Sequence, residues 1–554
     1  MCLVYPNRYA VAMGNLGFQV VYEIFDQAPG VVCERAFLPE EDELPLLGPG
    51  RLRSFESGRR VADFDIIAFS ISFETDYLHV IPMLRLAGLE PRSARRPAAA
   101  PLVIAGGPAM FLNPEPIADF FDLFLIGEAE EMLPEFLAAY AASRASGADH
   151  DALLDTVAGR VTGAYVPRHF TPLFNGPVVA DLRHAGPGSE RVERRLIWDL
   201  NRFHTTSRVL SDEAVFGDMV LVEASRGCQW GCRFCAAGYM YRPIRTRDPA
   251  GLAPAVRDGL EVRRTIGLIG AEMASVPGVD ALAELAGTAG GRLSPSSLKA
   301  DCVTPRLAAA LAQGGTRSVT VAPEAGSERM RRVINKNLSE HDILRATDLL
   351  VGEGVQHLKL YFMIGLPSET AEDVDAIAAL VERVRSRLID GSRGRSRVGT
   401  ITVSVNAFVP KPWTPFQWDP MEAIPSLRAK GRRLRRLLGR VANVELDLES
   451  PREAYLQTLL SRGDRRLARA LEVIDGTAND WWAVIRNWQR LGLDDVPHPD
   501  TYVHRPRNEV ERLPWDFIDH HITKGYLWIE RRKALAARQT APCDTATCTS
   551  CAAC

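Results

Sequence analysis

Three cysteines in one short stretch are the residues with the clearest chemistry in this sequence. Cys228, Cys232 and Cys235 follow the spacing C-x3-C-x2-C, with the aromatic Phe234 directly before the last cysteine. Three thiolates on one loop can ligate three irons of a [4Fe-4S] cluster and leave the fourth iron open. Zinc ligation and simple burial are the alternatives, but this spacing after an apolar run at residues 219–223 favours the cluster.

A second group of cysteines lies at the end of the sequence. Four thiolates can close a second [4Fe-4S] cluster or an all-thiolate zinc site, and their spacing does not decide between the two. We favour iron-sulfur, because a nearby electron relay suits redox chemistry, and a tail with unpaired thiols is the remaining alternative. The four residues are Cys543, Cys548, Cys551 and Cys554.

Composition sets limits on the class of protein. The chain has 554 residues, 46% of them hydrophobic, which suits two to four domains with buried cores. Its 66 basic and 69 acidic side chains give a formal net charge of -3, so no global field draws it to nucleic acid or membrane. A local patch such as Arg428 to Arg440 is more often a solvated helix face. We expect a cytoplasmic protein without a membrane partner, since no secretory signal or long apolar stretch is evident.

The elements that must position the cysteines follow from the apolar pattern. Residues 1–140 alternate short apolar runs with amphipathic stretches, which predicts a doubly wound, Rossmann-like α/β domain with its ligand at the carboxyl ends of the strands. Residues 141–215 indicate a connector. Strand-helix alternation over residues 216–420 predicts a partial (β/α)6 barrel, too short for a closed barrel of eight. Residues 421–530 predict a helical region, and residues 531–554 form the cysteine-rich tail.

The cysteine motif and the strand ends after it resemble the radical SAM superfamily. In that superfamily a partial (β/α) barrel binds S-adenosylmethionine (SAM) at the open iron, and Gly270 and Glu272 match the element that meets the SAM amino group. Ala271 stands where the second glycine of that element is usual. Ser297, Lys299 and Glu324 match positions that face the SAM ribose and carboxylate. Ile364 to Glu369 resembles the element that runs along the adenine.

The N-terminal domain resembles the cobalamin-binding domain of the B12-dependent radical SAM class. Small residues at the strand ends would let the backbone approach a flat corrin. The alternative is a degenerate Rossmann-like domain that only packs on the barrel. No Asp-x-His-x-x-Gly motif is present, so the resemblance implies cobalamin without a histidine lower ligand. The matching residues are Ser70, Ser72, Gly106, Gly107 and Gly127.

The end of the chain resembles an uncharacterised family of B12-binding-domain radical SAM proteins. In that family an aromatic-acid run like Pro514 to Asp519 precedes a cysteine-rich tail. The resemblance covers nearly the whole chain and implies an enzyme that cleaves SAM reductively, with cobalamin, to methylate an unactivated carbon. A reductant such as flavodoxin or ferredoxin is expected as partner, and the substrate class stays open among small molecules, RNA and protein.

Two alternatives compete with this hypothesis. The first is a methylthiotransferase-like RNA-modifying enzyme; such enzymes carry a second cluster on an N-terminal cysteine triad, which Cys2 and Cys33 cannot supply. The second is a non-catalytic iron-sulfur electron carrier that has kept the fold. A carrier gains nothing from an open iron beside Glu272, Ser297 and Glu324, so the enzyme is favoured.

Overall fold

The computed structural model describes residues 1–40, 42–43, 47–273, 276–296, 298–394, 398–476, 480–545, 547–548 and 550–553. The chain divides into two compact units. Unit 1 comprises Met1–Trp198, Ser207–Gly217 and Leu459–His521. Unit 2 comprises Asp199–Thr206, Asp218–Thr458 and Ile522–Cys554.

The first stretch of the chain alternates strands with helices. Its strands are β1 (Cys2–Tyr5), β2 (Glu34–Phe37), β3 (Ile66–Ser70), β4 (Leu102–Gly106), β5 (Leu123–Leu125), β6 (Ala164–Tyr165), β7 (Phe170–Asn175), β8 (Val178–His184) and β9 (Val192–Glu193). Its helices are α1 (Tyr9–Met13), α2 (Leu16–Asp26), α3 (Tyr77–Ala87), α4 (Pro108–Leu112), α5 (Ala129–Ala145) and α6 (His150–Arg160).

A six-stranded sheet with the order β2-β1-β3-β4-β5-β6 is the centre of unit 1. The first five strands are parallel, and β6 pairs antiparallel with β5. All residues of β1 and β3 are buried, as expected for strands covered by helices on both faces. This is the doubly wound arrangement predicted for the N-terminal residues, and the order of its first five strands leaves a crevice between the carboxyl ends of β1 and β3.

The rest of the chain begins with the strands and helices of unit 2. Its strands are β10 (Met219–Glu223), β11 (Ser225–Arg226), β12 (Arg245–Thr246), β13 (Thr265–Ile269), β14 (Arg292–Pro295), β15 (Ser318–Glu324), β16 (His357–Ile364), β17 (Thr400–Ala407) and β18 (Val444–Leu448). Its helices are α7 (Ala237–Met240), α8 (Pro249–Val262), α9 (Val279–Thr288), α10 (Pro305–Gln313), α11 (Glu328–Val333), α12 (Glu340–Glu353), α13 (Ala371–Gly391) and α14 (Ile424–Leu438).

The last elements are shared between the two units. They are α15 (Pro451–Arg462), α16 (Leu467–Gly476), α17 (Trp481–Arg486), α18 (Pro499–His504), β19 (Ile518–Asp519) and α19 (Lys524–Leu535).

Parallel strands form the barrel-like part of unit 2. One sheet has the order β10-β13-β14 and the other β15-β16-β17-β18, and every pair in both is parallel. A parallel bridge between Leu298 and Val321 links the two sheets. All carboxyl ends therefore meet at one edge. The strands predicted from the apolar runs are present, and β18 adds a seventh.

The region after Pro420 differs from the expected run of helices. It contains the strands β18 and β19 as well as helices, because Val444–Leu448 pairs in register with β17. Residues 459–521 belong to unit 1, where the Asn113 amide donates hydrogen bonds to the Ser461 and Gly463 carbonyls at 3.0 and 2.8 Å. Such long-range side-chain contacts have no signature in a local sequence pattern.

The described helices include none that is both long and apolar enough to cross a membrane.

Gly107, which directly follows β4, gives a test of the unit 1 fold. Gly107 has a φ of 107°, and a Cβ there would lie 2.5 Å from the Ile71 carbonyl oxygen. We expect Gly107→Ala to lower the melting temperature by several degrees, because both the backbone conformation and the contact oppose a side chain. Its neighbour Gly106 is the matched control, since a Cβ there meets its nearest atom at 3.4 Å. Calorimetric scans that give equal melting temperatures for Gly107→Ala and Gly106→Ala would contradict this account.

Candidate functional site

The cysteine loop of unit 2 is closed at its base. The strands β11 and β12 pair antiparallel, so residues 227–244 form a loop that leaves and returns at one point just beyond β10. The carboxylate of Glu223, the last residue of β10, accepts hydrogen bonds from Arg226 at 2.9 Å and Arg247 at 2.7 Å. Burial acts to raise the pKa of Glu223, but the two guanidinium groups outweigh it and hold that pKa below its usual value. The loop is thus fixed at the carboxyl end of β10, the first strand of its sheet.

The three predicted cluster cysteines lie together on this loop. The Cys235 N–H donates to the Cys232 carbonyl at 3.1 Å, and the Gly238 N–H donates to the Cys235 carbonyl at 3.2 Å. Burial raises the pKa of the Cys235 thiol, and the nearby backbone N–H groups of Gly238 and Ala237 act against it. Burial raises the pKa of the Cys228 thiol to about 12 and that of the Cys232 thiol to about 11. Backbone donors beside a sulfur suit an iron-sulfur ligand, because they stabilise thiolate charge in a dry site.

The three thiolates of the loop are a donor set of the kind that holds a [4Fe-4S] cluster. The ligands of a [4Fe-4S] cluster each bind a different iron, so they stand apart on their loop. Cys228, Cys232 and Cys235 are the residues that would hold such a cluster.

A fully buried arginine inside the motif holds the loop in place. Arg233 is 0% exposed and forms an ion pair with Glu530 of α19 at 3.0 Å. Its guanidinium also donates to the carbonyls of Arg332, Val333 and Arg538 at 3.0, 2.9 and 2.8 Å. A guanidinium presents five N–H donors in a planar fork, which here meets groups from three separate segments. The sequence reasoning missed this role, since its partners are distant along the chain.

A turn between α11 and α12 lies against the same loop. The Asn335 amide donates to the Gly231 carbonyl at 3.1 Å, and Lys336 pairs with Glu324 at 3.3 Å. Lys336 also interacts electrostatically with Cys232 and lowers the pKa of its thiol, against the larger effect of burial. The sequence reasoning did not identify Lys336. The signal that could have found it is its place between Asn335 and Asn337, which have φ values of 54° and 50°, since asparagine tolerates the left-handed region.

The predicted SAM-contacting residues lie at neighbouring strand ends. Gly270 directly follows β13, and the buried Glu272 accepts a hydrogen bond from the Lys299 N–H at 3.3 Å. The Lys299 ammonium lies 3.7 Å from the centre of the Trp230 ring, within the cysteine loop. It also pairs with Asp301. These contacts bring Glu272 and Lys299 beside the loop.

The predicted residue at the end of β15 completes this group. Glu324, the last residue of β15, has a φ of 65° and its carboxylate contacts Lys336. A side chain with positive φ in this position is held by its surroundings, as is typical of functional sites. The predicted Ser297 lies outside the described residues, so only Gly270, Glu272, Lys299 and Glu324 can be assigned positions.

The predicted cobalamin-contacting residues lie in unit 1 at the carboxyl edge of its sheet. Ser70 ends β3, Gly106 ends β4, and Ser72 accepts a hydrogen bond from the Asn15 amide at 2.9 Å. Two of the glycines have internal reasons to be glycine. Gly107 closely approaches Ile71, and Gly127, with a φ of 132°, would place a Cβ 2.4 Å from the Arg195 backbone nitrogen.

The histidine near this edge is used internally. His79, the only histidine among residues 1–140, interacts through Nδ1 with the Pro6 carbonyl at 2.8 Å. Burial lowers its pKa, so the ring is neutral at pH 7.

The cysteine-rich tail folds back onto the elements that support the loop in unit 2. The Cys543 N–H donates to the Gln229 carbonyl at 2.8 Å, next to Cys228. The Thr523 N–H donates to the carbonyl of the buried Cys551 at 3.2 Å. Cys548 is partly exposed, and its pKa is lowered chiefly by the backbone N–H of Ser550. Cys554 lies outside the described residues.

Removing the charge of Glu530 should loosen the cysteine loop. Glu530→Gln leaves the Arg233 guanidinium buried without a counter-ion, a change that costs about 3–5 kcal/mol in comparable buried pairs. We expect a lower melting temperature and less bound iron after anaerobic reconstitution. Burial acts to raise the pKa of Glu530, but Lys533 and Arg233 hold it below its usual value. The stabilisation is therefore complete above the ordinary carboxyl pKa of about 4.3 and is lost as the pH falls further.

The exposed Glu353 at the end of α12 is the matched control for this substitution. Glu353→Gln should retain the iron content and melting temperature of the parent. Equal iron content in both variants, with unchanged melting, would show that the buried pair does not support the loop.

Comparisons with known proteins agree with the site. The family model described as "Radical SAM proteins, N-terminal" matches residues 17–167, and the model "Radical SAM superfamily" matches residues 222–381. The uncharacterised protein MJ0966 of Methanocaldococcus jannaschii is 27% identical over 474 residues, which cover 85% of this chain and 90% of that protein.

Two solved structures are also similar. The radical SAM methyltransferase TsrM of Kitasatospora setae, with tryptophan and a SAM analogue bound, aligns with a TM-score of 0.46 at 14% identity, over 73% of this chain and 72% of that chain. The cobalamin-dependent SAM radical enzyme OxsB, with aqua-cobalamin and SAM bound, aligns with a TM-score of 0.47 at 12% identity, over 96% of this chain and 78% of that chain.

The two family models together match more than half of the chain, and the second begins at the strand that leads into the cysteine loop. The second match also spans the cysteine loop and the ends of β13 and β15. This chain therefore belongs to the radical SAM superfamily and is a radical SAM enzyme.

Proposed function

We propose that this enzyme cleaves SAM at a cluster held by Cys228, Cys232 and Cys235, and that it uses cobalamin to methylate an unactivated carbon. The observation that carries the proposal is the closed cysteine loop at the carboxyl edge of the sheets, beside Glu272 and Glu324. When bound, the cluster supplies one electron to the SAM sulfonium, which breaks a carbon-sulfur bond and yields a 5'-deoxyadenosyl radical.

The residues around the loop would bind and orient SAM. The Gly270 backbone and the Glu272 carboxylate are suited to the SAM amino group, because they offer acceptors at a strand end next to the loop. Lys299 is suited to the carboxylate of SAM, since its ammonium is already held beside Trp230. Ser297 and Glu324 are proposed for the ribose. Gly270 and Glu272 follow β13, Lys299 follows β14 and Glu324 ends β15, so their separation depends on the sheets rather than on a flexible loop.

The buried surroundings would keep water from the radical. Arg233 and Tyr239 are fully buried residues of the loop itself, and the Tyr239 hydroxyl donates to the Gly231 carbonyl at 3.2 Å. A dry floor with its polar groups paired excludes water, which would otherwise compete with the substrate.

Cobalamin is proposed for the carboxyl edge of the unit 1 sheet. The strand order leaves a crevice there, where ligands of doubly wound folds bind. Ser70, Ser72 and the Gly106, Gly107 and Gly127 turns line that edge. The corrin would lack a histidine lower ligand, as the resemblance implies.

A second metal centre is proposed for the tail. Cys543, Cys548, Cys551 and Cys554 would supply four thiolates, and the hydrogen bond from Cys543 to Gln229 keeps this segment beside the first loop. We favour a [4Fe-4S] cluster over zinc there, because an electron relay next to the SAM-cleaving loop would shorten the path from a reductant such as flavodoxin or ferredoxin.

The alternatives differ in their chemistry. A methylthiotransferase-like enzyme needs an N-terminal cysteine triad, whereas Cys2 and Cys33 are only 0% and 3% exposed within the core of unit 1. A non-catalytic carrier would bind iron without cleaving SAM.

The direct test is anaerobic reconstitution of the full chain with iron, sulfide and hydroxocobalamin, followed by dithionite and SAM. We expect 5'-deoxyadenosine to form and the cobalamin spectrum to remain with the protein after gel filtration. Cys232→Ala should abolish 5'-deoxyadenosine, because a cubane with two protein thiolates is not held at the SAM-binding geometry. Cys33→Ala, which changes a buried thiol in unit 1, is the control and should retain it.

Each readout decides a different part of the proposal. Iron binding without any 5'-deoxyadenosine, unchanged by Cys232→Ala, would favour the carrier. Formation of 5'-deoxyadenosine by a protein that retains no cobalamin would overturn the cobalamin part alone.

The tail centre has its own test. We expect the parent to hold about eight irons per chain and Cys548→Ser/Cys551→Ser to hold about four, because one of two [4Fe-4S] clusters is lost. SAM cleavage with dithionite should persist, since dithionite reduces the first cluster directly. Ser550→Ala is the control within the tail. One zinc and about four irons in the parent would identify a zinc site, and identical metal content in parent and double variant would show that the tail binds no metal.

A further inference from the structure

A cavity of about 770 Å3 lies on unit 2 outside the cysteine loop. The segment Gly365–Ala371, which follows β16 and leads into α13, forms one wall, and α14 forms the other. None of residues 227–244 lines it. Because Gly365 directly follows the carboxyl end of β16, the cavity opens at the same edge of the parallel strands as the SAM-cleaving loop.

Several charges in this cavity are already compensated. The Lys430 ammonium donates to the Glu369 and Glu422 carboxylates at 2.7 and 2.6 Å. Arg433 forms an ion pair with Asp375 of α13. These pairs fix α14 against its neighbours and leave one uncompensated negative charge, since Lys430 faces two carboxylates.

A row of arginines on α14 is different. Arg428, Arg432 and Arg436 are exposed at intervals of four residues, and Arg440 continues the interval beyond the helix. No carboxylate of the described residues forms an ion pair with any of the four, although Arg432 and Arg436 line the cavity. We call these four residues the arginine row.

The opposite side of α14 fixes the direction in which the row faces. Leu427, Leu434 and Leu438 on that side are buried, so the arginine row faces solvent. Turning the row inward would expose these leucines to water. Like charges four residues apart on a helix repel each other and destabilise it. A row of such pairs is therefore unfavourable for the isolated protein and becomes favourable when an anion lies along it.

The size of the row distinguishes between anions. Four residues of helix rise about 6 Å, so Arg428 to Arg436 extend about 12 Å along the axis. One phosphate group would neutralise only part of that length, whereas a chain of phosphates would follow it. The sequence alone favoured a solvated face, but the adjoining cavity and the missing counter-ions indicate a ligand.

We propose that the arginine row and its cavity bind the phosphodiester backbone of a nucleic-acid strand. The proposal adds a substrate class to the proposed function. The reaction on the bound strand rests on the proposed function, whereas binding of the strand does not. A strand held here lies at the edge where the radical is formed. Its phosphates would contact Arg432 and Arg436, while Lys430, already bound to two carboxylates, keeps the wall in place.

Binding can be measured on the reconstituted full chain with fluorescein-labelled single strands of RNA and DNA. The labelled strands would be about 12 nucleotides long, and fluorescence anisotropy would be recorded between about 50 and about 300 mM KCl. We expect Arg432→Gln/Arg436→Gln to weaken binding at least about tenfold at the lowest salt concentration. The slope of log K against log salt should fall by about 1.4, because each lost contact with single-stranded phosphate contributes about 0.7.

The matched control removes two exposed arginines elsewhere on unit 2. Arg257→Gln/Arg317→Gln has the same change in net charge and should leave both affinity and salt slope unchanged. Equal loss in both double variants would show non-specific attraction, and absence of binding at low salt would overturn the proposal. Displacement of the RNA by ADP at equal nucleotide concentration would indicate a mononucleotide site and exclude the strand.

A negative result for strand binding can be distinguished from a failure of the proposed function. Formation of 5'-deoxyadenosine does not require the arginine row, so Arg432→Gln/Arg436→Gln should still cleave SAM. A double variant that loses both strand binding and SAM cleavage would contradict the assignment of the row to binding alone.

Discussion

The buried ion pair between Arg233 and Glu530 is the constraint on which the candidate site depends. Arg233 lies between two of the cluster cysteines, and its guanidinium joins the loop to the end of α11, to α19 and to the start of the tail. Burying a charge in this way is costly unless each donor finds an acceptor, and here nearly all the acceptors come from residues distant in the chain. The cysteine loop is consequently ordered by the C-terminal segment, and the tail cysteines are brought near it by the same contacts.

The parallel strands bring residues from separate segments of the chain to one edge. Each strand ends at the same edge, so Glu223, Gly270 and Glu324 become neighbours although more than fifty residues separate some of them. The same geometry puts the cavity beside α14 at that edge. The proposed SAM site and the proposed nucleic-acid surface thus share one side of the sheets for one topological reason.

Ionic side chains that hold elements together have carboxylate partners, whereas those available to a ligand do not. Arg233, Arg247 and Lys430 all have carboxylate partners within 3.0 Å and serve to hold elements together. The arginine row has no such partners among the described residues, and its members are exposed. Close backbone contacts within unit 1 explain why Gly107 and Gly127 are glycine.

Sequence alone determined the parts that are local. The cysteine spacing predicted a cluster loop, and apolar periodicity predicted the Rossmann-like sheet and the barrel strands, because side-chain burial repeats along each element. Only the tertiary structure decided what depends on contacts between distant segments. Residues 459–521 belong to unit 1, β18 extends the barrel sheet, and Arg233, Lys336 and Asn335 support the loop, none of which a local pattern encodes. The row of Arg428, Arg432 and Arg436 was visible in the sequence, but its missing counter-ions became evident only when the neighbouring helices and loop were in position, since charge compensation is a property of the packed chain.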